Sequence, residues 1–76
     1  MTIQVLDSVV LIKDIPSHGL RKGDLGAVVT TYEPDGIEVE FVTGSGRTRA
    51  LINLKVDDVR SVSEKDILAV RSVDAA

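Results

Sequence analysis

The stretch IEVEFV, residues 37–42, limits the fold of this chain more than any other. Apolar and acidic side chains alternate along it, so a strand would put Ile37, Val39 and Phe41 on one face and Glu38 and Glu40 in water. Tight-turn sequences stand on both sides, EPDG at 33–36 and TGSG at 43–46. In the first, Pro34 and Asp35 suit the two central positions and Gly36 the left-handed residue of a bulged hairpin. A half-buried strand between two such turns belongs to a series of antiparallel hairpins.

The rest of the chain extends that series. SVVLIK (8–13) is a compact apolar strand, and DIPSHGLRKGD (14–24) is a loop in which Pro16 ends the ladder. LGAVVTTY (25–32) and RTRALINL (47–54) are further strands; in the latter Thr48, Ala50, Ile52 and Leu54 share one face. KVDDV (55–59) reads as a single helical turn and RSV (60–62) as a short closing strand. Five strands of this kind predict an all-β fold closed into a small barrel, which hides the edges that a valine-rich sheet would otherwise expose. The expected core is Val9, Leu11, Leu25, Val28, Ile37, Val39, Phe41, Ala50 and Ile52, with Leu20 plugging one end.

Residues 63–76 form a separate C-terminal segment, SEKDILAVRSVDAA. Extended, it carries Ile67, Ala69, Arg71 and Val73 on one side and Leu68, Val70 and Ser72 on the other. Free tails are poor in such residues. The segment is therefore expected to pack on its own barrel or to add to a partner chain, a second copy included.

HGLRKGDLGAVV (18–29) is the stretch that could hold chemistry, and it does not fit the known anion cradles. Its glycines, Gly19, Gly23 and Gly26, match neither a P-loop nor a dinucleotide fingerprint, and they lead into a strand rather than a helix. Gly23 is expected to supply a positive φ and Gly26 to make room inside the barrel. The chain has no cysteine and one histidine, His18, so neither a thiolate nor a histidine cluster can hold a metal. Asp57 and Asp58 are neighbours that point to different faces, and Ser17–His18 lacks an orienting acid. The expectation is no enzyme and no cofactor.

With nine basic and twelve acidic residues the net charge is −3, and the only aromatics are Tyr32 and Phe41. Both facts argue against nucleic-acid binding, which uses basic faces and stacking rings. The N-terminus lacks the basic region and cleavage site of a signal peptide, and no apolar run is long enough to span a membrane. A cytoplasmic location with a protein partner follows as the expectation. The residues expected to meet that partner are His18 and Arg21 in the loop, Arg47 and Arg49 as an alternating basic pair, and Ile67 and Val70 in the tail.

LRKGDLGAVVTTYEPDGIEVEF is similar to the KOW and SH3-like pattern, some members of which bind RNA or ribosomal partners. More specifically, the pieces HGL, KGDLGAVV, VEFV, GRTRAL, DVR and DILAVR resemble a group of small bacterial proteins known only as a domain of unknown function, common in cyanobacteria and proteobacteria. The resemblance spans 6–71 and implies an SH3-like barrel over 1–62, broadly like the barrels of electron-transport accessory subunits. The whole reading is a five-stranded SH3-like barrel with one short helical turn and an extended C-terminal segment. Its expected role is a non-catalytic interaction module, such as an antitoxin, immunity protein or accessory subunit. An RNA- or ribosome-associated KOW-like barrel is the alternative.

Overall fold

A computed structural model describes residues 3–73. Its strands are β1 (Ser8–Leu11), β2 (Leu25–Tyr32), β3 (Gly36–Val42), β4 (Thr48–Lys55) and β5 (Val59–Ser61), joined in one sheet of order β4-β3-β2-β1-β5. Every ladder is antiparallel. Single 3-10 turns occupy Pro16–His18 and Val56–Asp58. The all-β class stands, and β2 has the predicted bounds.

Register aligns the apolar faces. Val28 pairs with Val39 and Val39 with Ile52, which sets three β-branched side chains in a row across β2, β3 and β4. On the other side of β2, Val9 faces Gly26, and Leu11 faces Val59 of β5. These residues belong to one buried cluster, although Ile52 and Val59 come from opposite ends of the sheet. A flat five-stranded sheet would hold its end strands about 19 Å apart, so a shared core requires strong curl. Two register shifts contribute to it, one in β2 between Val28 and Thr30 and one opposite Phe41–Val42.

The core differs from the expected one at two places. Leu25 is 44% exposed and Val59 is buried. Gly26 and Val28 are the inward positions of β2, so Leu25 falls on the outer face, where it pairs with Val10. Val59 is not the end of the helical turn but the first residue of β5, held inward by its pairing with Leu11. Leu20 is buried, as expected of a plug.

The glycines divide in the same way. Gly23 has φ +97, as its turn requires, whereas Gly36 does not have a positive φ. Gly36 lies in the ladder between Tyr32 and Lys55, and paired strand residues need extended backbone. The bulged hairpin expected at 33–36 is thereby replaced by a turn with a cis Glu33–Pro34 bond.

Among the described residues, the chain after Ser61 forms no strand or helix. Within this chain most apolar tail side chains do not pack on the sheet: Ile67 is 91% and Val70 101% exposed, Leu68 is exposed as well, and Val73 is half-buried. Polar clamps hold the segment instead. Arg60 grips Asp66 with both guanidinium nitrogens, at 2.8 and 3.1 Å, and Asp66 also accepts from the Ser63 amide at 2.7 Å.

Candidate functional site

The loop from Asp14 to Asp24 is tied down by its own acids. Asp14 Oδ1 accepts the Lys22 amide and Asp24 Oδ2 the Arg21 amide, each at 2.8 Å. Ile15 and Leu20 exchange backbone hydrogen bonds, so the loop closes on itself around the Pro16–His18 turn. Gly19 ends that turn with φ +68. A Cβ there would lie 2.6 Å from an Arg49 guanidinium nitrogen, so the missing side chain is what lets Arg49 lie against the turn.

The tail closes the other side. Arg71 donates from Nε to Asp24 Oδ1 at 2.8 Å and from Nη2 to Asp24 Oδ2 at 2.7 Å, and Nη2 also reaches the Gly19 carbonyl at 2.9 Å. Planar bidentate pairing of this kind is the strong form of an ion pair. The Arg71 guanidinium, with help from the Arg21 amide, holds the Asp24 carboxyl below the ordinary aspartate value of 3.8 despite partial burial. A depressed carboxyl stabilises the folded state above its unfolded pKa, and that contribution is lost as pH falls through the folded value. Arg71→Gln is therefore expected to lower the melting midpoint by about 2–4 °C at pH 7. The gap to wild type should narrow as pH falls below 3.8; thermal melts of both proteins from pH 7 to pH 2 check this, and a gap that does not narrow would contradict it.

Between loop, β4 and tail lies a cleft of about 350 Å³ lined by Arg21, Arg49 and Arg71, with Asp14 as its acid and Pro16 and Leu20 as apolar walls. A wider groove of about 930 Å³ lies beside it, between tail residues 69–73 and the outer side chains Leu25 and Val42. Among the described residues, neither Arg21 nor Arg49 has a salt-bridge partner. No group of three His, Asp or Glu side chains there is arranged to hold a metal.

The structure thus unites some of the predicted partner residues and separates others. Arg21 and Arg49 share the cleft, and Val70 lines the groove. Arg47 does not accompany Arg49. It closes the turn through its carbonyl to the Thr43 amide, and the bulge that leaves Arg49 unpaired between Thr48 and Ala50 breaks the strand alternation. His18 is exposed at the end of its 3-10 turn and lines neither cavity, and Ile67 lines neither. Arg71 and Asp24 were missed as a pair because they are 47 residues apart.

A family model described as a domain of unknown function (DUF4926) matches residues 5–61. The chain belongs to that family. The DUF4926 match takes in all five strands and the loop that carries Arg21, but ends at Ser61, short of the resemblance read to residue 71. Three of the nine residues that line the cleft, Arg71, Ser72 and Val73, thus come from chain beyond the matched DUF4926 region. No curated protein and no solved structure matches the chain. No helix among the described residues is long and apolar enough to cross a membrane.

Proposed function

We propose that this DUF4926 protein is a non-catalytic protein-interaction module, the small partner of another protein in the manner of an accessory subunit, antitoxin or immunity protein. The tail carries the reading. It is clamped near both ends by arginine–aspartate pairs, Arg60–Asp66 and Arg71–Asp24, yet it holds Ile67, Leu68 and Val70 out in water. Covering such side chains is worth about 1.5–3 kcal/mol each, and the clamps reduce the ordering cost that a loose tail would add. Asp58, one of the two adjacent acids, accepts the Lys55 amide and pairs with Lys13.

The test is recovery of the tagged full chain from its native host after nuclease treatment. A stoichiometric protein partner is expected with wild type and should be lost with Ile67→Asp/Val70→Asp, while the melting midpoint of that variant stays unchanged. A partner that disappears with nuclease alone would favour the RNA-associated barrel, which leans on the arginines of the cleft. Retention by the double variant would remove the tail from the binding face.

A further inference from the structure

We propose that the cleft between Arg21, Arg49 and the Gly19 turn receives a side-chain carboxylate from an acidic segment of the partner, the segment running extended through the adjoining groove. This deepens the interaction-module reading and rests on it. Charge is the first argument. Three guanidinium groups line the cleft, and only that of Arg71 is matched, by Asp24. Asp14, the one acid in the lining, already accepts from the Lys22 amide through one oxygen. The three cations thus stand against the carboxylates of Asp14 and Asp24, an excess of one positive charge on a chain of net charge −3. Among the described residues neither the Arg21 nor the Arg49 guanidinium touches a carboxylate directly, so the cleft attracts an anion.

Donor geometry is the second. Arg49 stands on a bulge, aimed out of the alternation of β4, and its guanidinium lies over the Gly19 backbone in space that any side chain at 19 would take. Its planar guanidinium fork suits a carboxylate.

Size and surroundings choose the ligand. The cleft, about 350 Å³ with Pro16 and Leu20 as walls, has room for a carboxylate side chain. No aromatic ring lines it for base stacking, which is how single-stranded nucleic acid is held. Cleft and groove are adjacent, with Leu20, Arg49, Arg71, Ser72 and Val73 in both linings, so a segment seated in the cleft lies beside the groove. Along the groove it meets exposed Leu25, Val42 and Val70. The recognised sequence is accordingly an acidic residue flanked by apolar ones.

The test titrates the isotope-labelled full chain with the blocked peptide acetyl-Ser-Leu-Glu-Val-Ser-amide and with its Gln counterpart, followed by nuclear magnetic resonance. The Glu peptide should shift the amides of Gly19, Leu20 and Arg21 and bind at least about fivefold more tightly than the Gln peptide. Arg49→Gln and Arg21→Gln should each erase that preference with unchanged melting, whereas Arg47→Gln, outside the cleft, should keep it. Equal binding of the two peptides, or wild-type preference in Arg49→Gln, overturns the carboxylate site. So does a single-stranded oligonucleotide that moves the same amides at lower concentration than the Glu peptide. Those failures leave the module reading intact as long as the host partner is still captured through Ile67 and Val70; loss of that partner from wild type would instead remove the module reading.

Discussion

Phe41→Ala should lower the stability of the domain by about 3–5 kcal/mol. Phe41 is the largest side chain in the core and is 3% exposed. Its ring reaches across to the bare backbone of Gly26, and Ala50, its partner on β4, is too small to fill the space that truncation would leave. Folded domains hold only about 5–15 kcal/mol in total, and a 76-residue chain without a disulfide sits near the lower end. The variant is expected to lose much of its cooperative transition. Urea melts followed by circular dichroism check this, and a midpoint equal to that of wild type would falsify the central place given to the ring.

Gly26→Val is expected to be comparably damaging for the opposite reason. A Cβ at 26 would stand 2.6 Å from Val39 Cγ1 and 2.8 Å from Phe41 Cε2. Neither neighbour can retreat, because Val39 is 0% exposed and Phe41 is packed as above. Overpacking a filled core costs about 1–3 kcal/mol, and valine adds two further methyl groups beyond the clashing Cβ. The cause can be separated from a general intolerance of strand substitution. Phe41→Leu combined with Gly26→Ala should be less destabilised than the sum of the two single variants, since the smaller side chain vacates the room that the new Cβ takes. Strict additivity in denaturant melts would mean that the two sites do not share space.

Much of this was readable from local pattern. The alternation of IEVEFV and the turn residues around it located β3, and LGAVVTTY gave β2 with its true ends. Gly23 announced its positive φ because a loop must reverse there, and Gly26 announced a close approach because glycine within a strand otherwise weakens it. Of the cleft and groove, Arg21 and Arg49 were legible as exposed cations and Val70 as an apolar group in a tail.

What local pattern could not supply was position relative to the rest of the molecule. A two-residue period says which side chains share a face, but only pairing with neighbouring strands says which face is inside; hence Leu25 lies outside and Val59 inside. Gly36 belonged to the ladder rather than the turn because β2 and β4 both pair with it. The parting of Arg47 from Arg49 came from one unpaired residue opposite β3, which no propensity marks. The arginine cleft exists because Arg71 returns across 47 positions to Asp24. By itself the sequence determined the strands, their order along the chain and the residue types available for binding. Tertiary structure alone decided which of them face the core and which arginines meet, because register and ion pairing act between segments whose distance in space is unrelated to their distance along the chain.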